Sequence, residues 1–161
     1  MIATDIEGVD YLVDTSVLSG LLDPGNSHHE KVTQWIGSLN TKHRLLVSVV
    51  AIAEMCFGRQ LAIAANSKAT LPNLDRIINE AEKMDLLSVT TPTAIEYAKL
   101  KANLAQQTMP KRIAQRKKTK WGNPESWRNE YSGTELHIQE NDLWQSAQAI
   151  ERELKFVTTD S

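Results

Sequence analysis

Four acidic side chains stand where the chain leaves a predicted strand or enters the helix that follows one. Asp14 closes the first predicted strand and Asp160 follows the last, while Glu54 and Asp142 fall early in predicted helices. Ligands of open parallel sheets lie beyond the carboxyl ends of the strands, so all four can face one edge of the sheet. Clustered carboxylates raise each other's pKa unless a cation offsets their charge. Hard oxygen ligands suit Mg²⁺ or Mn²⁺, so the pattern predicts a site for one of these ions.

A simpler interpretation assigns some of these acids to helix stability alone. Acidic side chains near a helix N-terminus interact favourably with the helix dipole, which accounts well for Asp142 and partly for Glu54. Asp14 and Asp160 are explained less well in this way, because each directly follows a predicted strand. We therefore favour the metal site over the dipole interpretation.

Short apolar runs alternate with helical patterns along most of the chain. The predicted strands are Tyr11–Val13, Leu45–Val47, Leu86–Val89 and Phe156–Thr158. Helix-forming composition or helical spacing of apolar residues covers 28–39, 49–65, 71–84, 93–104 and 143–154. Strands that alternate with helices favour right-handed crossovers. The sequence therefore predicts an α/β fold with a mostly parallel sheet and helices on both of its faces.

Composition excludes several common classes of protein. No stretch approaches the roughly 18 apolar residues of a membrane helix, and Met1–Asp10 lacks the pattern of a secretory signal, so we expect a cytoplasmic protein. The single cysteine, Cys56, excludes an internal disulfide and a multi-cysteine zinc site. The four histidines form no HExxH pattern, and no serine lies in a GxSxG elbow. Any catalysis must then depend mainly on carboxylates.

Basic residues are concentrated in one part of this 161-residue chain, whose net charge is -2. Residues 97–124 contain eight basic and no acidic side chains, whereas the rest of the chain has ten basic and twenty acidic ones. Such a run has two explanations, a polyanion partner or a solvated loop without a partner. The candidate contacts for nucleic acid are Lys111, Arg112, Arg116, Lys117, Lys118 and Lys120.

The region at about 106–133, which includes most of this basic run, resembles an insertion in an otherwise single domain spanning 1–161. Trp121 and Trp127 lie at and just beyond the end of the run, where they could stack on bases. Turn residues at 122–124 are equally consistent with a loop that the two tryptophans pin to the body. The sequence leaves both roles open.

Four short motifs surround the acidic residues. In chain order they are Leu12-Val13-Asp14-Thr15-Ser16, Glu54-Met55-Cys56-Phe57-Gly58, Asn141-Asp142-Leu143-Trp144-Gln145-Ser146-Ala147 and Phe156-Val157-Thr158-Thr159-Asp160. Together they resemble the motifs of PIN-domain ribonucleases, and most of all those of the VapC-like toxins of bacterial toxin–antitoxin pairs. That group has a hydrophobic run ending in Asp-Thr-Ser/Asn, a Glu with Gly four residues later, an Asn-Asp helix start rich in Ala, and a Val-Thr-x-Asp ending.

This resemblance implies a three-layer α/β/α sandwich, dependence on Mg²⁺ or Mn²⁺, and endonucleolytic cleavage of RNA. It also implies frequent homodimers and a cognate antitoxin protein that blocks the site. The four acids named above match the acidic positions that bind metal and catalyse in the family. Ser16 and Thr158 match hydroxyl positions that assist the metal site.

Two features depart from the family pattern. The basic region at 106–133 is longer than the usual connection before the helix that carries Asp142. The sequence also stops one residue after Asp160, where family members continue into a Phe-containing turn and an edge strand. We therefore expect the final edge strand of the sheet to be missing.

These features predict hydrolysis of RNA by a metal-activated water, without a histidine or serine nucleophile. A catalytically inactive PIN-like module that binds RNA or a partner protein is the main alternative. A metal-dependent phosphatase or DNA nuclease could use the same carboxylates. The DxDxT signature of aspartyl phosphatases is absent, because Thr15 and Ser16 follow Asp14.

Overall fold

Four parallel strands form the sheet of the computed structural model, which describes residues 8–115 and 121–159. β1 pairs with β2 on one side and with β4 on the other. The order in which the chain adds strands to the sheet therefore reverses at β1, although all four strands run parallel. At such a reversal, the carboxyl ends of the strands form the crevice in which open α/β sheets bind ligands. The strands, in the sheet order β3-β2-β1-β4, are β1 (Asp10–Val13), β2 (Arg44–Ser48), β3 (Asp85–Leu87) and β4 (Lys155–Val157).

Helices connect the strands, as the alternating pattern predicts. Helix α5 continues to Thr108, past its predicted end at Leu104, because the intervening residues are good helix formers and the first helix breaker is Pro110. No helix among the described residues is long and apolar enough to cross a bilayer. The described helices are α1 (Thr15–Leu22), α2 (His29–Ser38), α3 (Val49–Ala64), α4 (Leu71–Ala81), α5 (Thr91–Thr108), α6 (Pro110–Ala114) and α7 (Glu140–Glu151), with a 3₁₀ turn at Pro124–Ser126.

The core is divided in two by the sheet, because successive residues of a strand point to opposite faces. Val13 and Val47 lie in one apolar cluster with residues of α1, α2, α3 and α4. Leu12 and Leu46 lie in the other cluster, together with Ala149 of α7. Helices therefore cover both faces, and the predicted α/β/α sandwich is confirmed.

Buried polar bonds fix α7 on the sheet. Ser48 Oγ donates a hydrogen bond of 2.6 Å to Gln148 Oε1, and Gln148 Nε2 donates one of 3.0 Å to the carbonyl of Leu87. Ser48 Oγ also accepts a bond of 2.9 Å from the N–H of Val50 and so caps α3. Both side chains are fully buried, so water cannot replace these bonds. The position of α7, and hence of Asp142, depends on them.

A second polar contact joins the end of α7 to the start of α5. The hydroxyls of Thr90 and Thr93 both donate to the carboxylate of Glu151. The hydrogen bond from Thr93 does most to hold the pKa of Glu151 below its ordinary value, and the Thr90 bond and the nearby Arg152 charge act in the same direction against the effect of burial. Ionised Glu151 therefore stabilises the fold.

We expect Glu151→Gln to lower the melting temperature at pH 7 by about 2–4 °C, which corresponds to about 1 kcal/mol. The pKa of Glu151 is lower in the folded than in the unfolded chain, so its contribution is complete above the unfolded pKa of about 4.3. That contribution is lost as the pH falls through the folded pKa. Melting curves of both chains between pH 7 and pH 3 should converge at the acid end. A constant difference across this range would contradict the assignment.

The described parts of the predicted insertion pack on the end of α5. Trp127 is 2% exposed and lies in an apolar cluster with Ala105 and Met109. Its indole N–H donates to the carbonyl of Gly122 at 3.0 Å, and its own carbonyl accepts from the N–H of Leu136 at 2.9 Å. Trp127 therefore pins the insertion to the body, which is one of the two roles that the sequence left open.

Candidate active site

Three of the four predicted acids line one cleft of about 480 Å³ at the carboxyl end of the sheet. Asp14 follows β1, Glu54 lies in the second turn of α3 after β2, and Asp142 lies in the first turn of α7. They are far apart in sequence, and the parallel strand order brings them together. The fourth, Asp160, lies outside the described residues.

Asp14 is fixed by its own helix. The residue caps α1, because its Oδ1 accepts hydrogen bonds from the N–H of Val17 at 2.9 Å and from the hydroxyl of Ser16 at 2.7 Å. The side chain is buried, yet it lines the cleft. A carboxylate has about four lone-pair sites, so both bonds leave acceptor capacity for a cation.

Ser16 links Asp14 to the segment that follows β4. Its Oγ donates to Asp14 and accepts from both the N–H and the hydroxyl of Thr159, at 3.1 and 2.6 Å. Thr158, which the family resemblance suggests as an assisting hydroxyl, is exposed, and both Thr158 and Thr159 line a cavity beside Trp35 rather than the cleft itself. Sequence reasoning did not anticipate the contact of Thr159 with Ser16, because β4 ends at Val157 and strand alternation no longer fixes where the following side chains point.

Glu54 is oriented by two neighbours that sequence reasoning gave no role. The hydroxyl of Thr15 donates to one carboxylate oxygen, and Asn141 Nδ2 donates to the other at 2.8 Å. Both partners belong to motifs around the acids, immediately after Asp14 and immediately before Asp142. These bonds hold Glu54 on the wall of the cleft between α1 and α7.

Asp142 shares its face of α7 with Gln139 and Gln145, three residues before and after it, and all three line the cleft. Gln145 is 1% exposed, and its Oε1 is buried without a hydrogen-bond partner in the described structure. An unpaired buried amide oxygen costs about 1–3 kcal/mol. A further donor at this wall, such as a hydrated cation, would remove that cost.

The oxygen atoms that line the cleft fit a hard divalent cation. Carboxylate, hydroxyl and amide oxygens are the ligands that Mg²⁺ and Mn²⁺ prefer, and the cleft supplies all three kinds. Within residues 8–115 and 121–159, no three His, Cys, Asp or Glu side chains come close enough together to hold a metal ion by themselves.

An ion pair joins the start of α7 to α5. Lys101 Nζ lies 2.7 Å from Glu140 Oε1 and 2.7 Å from the hydroxyl of Tyr97, which also donates to Glu140. The bonds from Lys101 and then Tyr97 hold the pKa of Glu140 below its ordinary value. Tyr97 also stacks on Trp144, with ring centres 3.9 Å apart. The start of α7 is thus packed against α5.

A model of the PIN domain family matches residues 11–161. The chain belongs to the PIN domain family. No curated protein matches it.

Solved structures share the fold of this PIN domain at low identity. One is VapBC-5 of Mycobacterium tuberculosis, a member of the VapBC family of toxin-antitoxin systems; it is 22% identical, with a TM-score of 0.58 over 95% of this chain and 86% of its own. VapBC2 of Rickettsia felis, bound to a DNA fragment from its promoter, is 14% identical, with a TM-score of 0.57 over 94% and 89%. VapC20 of M. tuberculosis, a sarcin-ricin loop cleaving toxin, is 10% identical, with a TM-score of 0.54 over 93% and 89%.

The predicted nucleic-acid contacts of the PIN domain lie only partly within the described residues. Lys111 is exposed on α6, and the Arg112 guanidinium lies 4.9 Å from the ring centre of Trp121. The backbone N–H groups of Lys111 and Arg112 both donate to the carboxylate of Glu130. The other four predicted contacts lie outside the described residues: Arg116, Lys117, Lys118 and Lys120.

The substitution Gln145→Leu tests whether the buried side-chain amide of Gln145 faces a bound ligand or instead supports the fold of this PIN domain. Leucine fills similar space without the unpaired oxygen, so we expect the free energy of unfolding in EDTA to be unchanged or higher by up to about 1 kcal/mol. Groups that support a metal site typically change metal affinity by about 10–100-fold, so Mn²⁺ should bind more weakly. Thermal unfolding and titration calorimetry measure the two effects. A clear loss of stability in EDTA would contradict the interpretation.

Proposed function

We propose that this PIN domain is a divalent-metal-dependent endoribonuclease that acts as the toxin of a bacterial toxin–antitoxin pair. One observation carries the proposal: Asp14, Glu54 and Asp142, from three distant parts of the chain, line one cleft at the carboxyl end of the sheet. The solved structures with this fold support it, because VapBC-5 belongs to a family of toxin-antitoxin systems and VapC20 is a toxin that cleaves the sarcin-ricin loop.

Asp14, Glu54, Asp142 and Asp160 would hold Mg²⁺ or Mn²⁺ in this proposal. The ion supplies Lewis-acid polarisation of the phosphodiester and lowers the pKa of water to generate the nucleophile. The protein's own side chains hold two of these carboxylates in position. Ser16 holds Asp14, while Thr15 and Asn141 hold Glu54 from opposite sides.

The partners in this proposal are an RNA substrate and a cognate antitoxin protein that covers the cleft, and the toxin acts on RNA in the cytoplasm. VapBC-5, which shares this fold, belongs to a family of toxin-antitoxin systems, and this supports an antitoxin partner. The proposal also includes a homodimer of this chain. A single domain over 1–161 with the basic insertion at 106–133 remains our prediction.

Purified protein incubated with total RNA, in Mn²⁺ or in EDTA, tests the proposal. We expect discrete cleavage products in Mn²⁺ and intact RNA in EDTA, because the carboxylates cannot polarise the phosphodiester by themselves. A parallel incubation with single-stranded DNA separates a ribonuclease from a DNA nuclease. Cleavage that persists in EDTA would contradict metal dependence.

One observation favours a second function, a catalytically inactive module that binds RNA or a protein: the described acids do not by themselves form a metal-ligand cluster. Titration calorimetry with Mn²⁺ distinguishes the two functions. The nuclease requires Mn²⁺ binding that depends on Asp14, whereas the module needs none. Absence of both Mn²⁺ binding and cleavage would favour the module.

A further inference from the structure

A second cavity, of about 430 Å³, lies between α5 and the insertion. Its volume falls in the range of roughly 300–1,000 Å³ that is typical of small-molecule sites. Among the described residues its walls are mostly aromatic and aliphatic, and Lys101 is their one charged member. The walls include Tyr97, Lys101, Ala105, Ile113, Trp121 and Trp127.

The two tryptophans of this cavity differ in exposure. Trp127 is 2% exposed and anchors the insertion, whereas Trp121 is 40% exposed. Trp127 meets the ring of Trp121 at an interplanar angle of 65°, with centres 5.5 Å apart, and the Arg112 guanidinium lies over Trp121. Trp121 is thus held in place by neighbours, while its ring stays partly exposed and lines the cavity, where a planar ligand could contact it.

The surroundings of the cavity favour an anionic ligand with an aromatic part. Arg112 and Lys101 border it, although Glu140 offsets the charge of Lys101. Residues 97–124, which include all of the described lining except Trp127, contain eight basic and no acidic side chains in the sequence. A peptide that is only apolar would not use this charge, whereas single-stranded RNA combines planar bases with a phosphate backbone.

The cavity also adjoins the acidic cleft across the first turn of α7. Asp142 faces the cleft, whereas Glu140 and Trp144 lie against Lys101 and Tyr97, which line the cavity. Glu140 and Trp144 are each two residues from Asp142, or about 3 Å along the helix axis, so the cavity and the cleft are separated mainly by the width of α7, about 10 Å with its side chains. One RNA strand could therefore reach both.

We propose that the cavity between α5 and the insertion binds an unpaired nucleobase of a single-stranded RNA, with Trp121 as the stacking platform. This inference rests on the proposed function, because it makes the cavity a substrate subsite beside the acidic cleft. The base is recognised by stacking, while the basic residues attract the backbone. Such a site tolerates many sequences, because every base has a π-face.

Binding of a fluorescein-labelled oligouridine in EDTA, where no cleavage occurs, tests the proposal. We expect Trp121→Ala to raise the dissociation constant on the order of tenfold and Trp121→Phe to raise it far less, as stacking contributions predict. Inorganic polyphosphate, which has charge but no bases, should bind Trp121→Ala and the unsubstituted chain equally. Tyr131→Ala is the matched control, since Tyr131 is an aromatic side chain of the same insertion that is 74% exposed and does not line the cavity.

An abasic oligoribonucleotide of equal length, titrated against the unsubstituted chain, tests the same point without a substitution. It should bind more weakly than oligouridine by a similar factor. Equal affinities of the unsubstituted and Trp121→Ala chains for oligouridine would overturn the proposal and leave the cavity to a protein partner. So would equal losses for oligouridine and polyphosphate, because the effect would then be one of charge.

The experiments distinguish a failure of the proposed nuclease activity from a failure of the proposed base site. If Mn²⁺-dependent cleavage occurs but Trp121→Ala binds oligouridine normally, the base site is wrong and the nuclease stands. If Trp121→Ala selectively weakens oligouridine binding and no cleavage occurs, the base site stands and the nuclease is wrong.

Discussion

Asp14→Asn is expected to reduce Mn²⁺-dependent RNA cleavage by at least about 10³-fold, equivalent to about 4 kcal/mol of transition-state stabilisation. The substitution removes one negative charge from the cleft. It preserves the local structure, because asparagine caps a helix about as well as aspartate and its amide oxygen can still accept from Val17 N–H. The melting temperature in EDTA should therefore change little. Cleavage assays with gel-resolved RNA and a melting curve measure both effects.

Asp10→Asn is the matched control for this experiment. Asp10 lies at the start of the same strand, and its carboxylate pairs with Arg44 at the surface, away from the cleft. The bond from Arg44 lowers the pKa of Asp10, so this residue is also ionised at neutral pH. Loss of the same charge there should leave cleavage unchanged. Full activity of Asp14→Asn would remove Asp14 from the chemistry.

Gln148→Leu is expected to lower the free energy of unfolding by about 2–4 kcal/mol, because it leaves buried polar groups without partners. Leucine cannot accept from Ser48 Oγ or donate to the carbonyl of Leu87. For a chain of this length the melting temperature should fall by roughly 5–15 °C. Thermal unfolding in EDTA measures this loss without any contribution from a bound metal.

Gln145→Leu, on the same helix, provides the comparison. Gln145 is as deeply buried as Gln148, but its amide oxygen has no partner in the described structure. We therefore expect different outcomes from the same substitution three residues apart: a large loss of stability at 148, and no loss of stability but weaker Mn²⁺ binding at 145. Equal losses of stability at both positions would show that the two amides have the same structural role.

A double-mutant cycle between Ser48 and Gln148 would measure their coupling. Ser48→Ala alone also removes the cap of α3, so its own cost is expected to be about 1 kcal/mol or more. The double variant should be less destabilised than the sum of the two single variants, since each single change leaves the partner of the Ser48–Gln148 bond unpaired.

Much of the fold could be predicted because its determinants are local. The apolar runs of β1, β2 and β4 and the helix formers of α3 carry their own signal, and the predicted α/β/α sandwich is confirmed. The end of α5 was predicted too early, because the helix stops only where a proline forbids it. The sequence could not predict that Trp127 is buried and Trp121 half-exposed, since both stand in the same turn-rich segment.

The candidate site was predictable only in part. Residue type and position beside strand ends selected Asp14, Glu54 and Asp142, which do line one cleft, and their role in metal binding stays a prediction. A hydroxyl partner of Ser16 is Thr159, and Thr158 and Thr159 both line the cavity beside Trp35. Strand alternation stops at Val157, so no local rule could choose between the two threonines.

The amino-acid sequence by itself determined the chemical types at the site and the order of the elements that carry them, because both are properties of short segments. Only the tertiary structure decided which side chains meet, such as Glu54 with Asn141 and Ser16 with Thr159. These contacts join residues far apart in sequence, and their geometry depends on the register of parallel strands and on how α7 packs on the sheet. Those are set by the whole core rather than by any one segment.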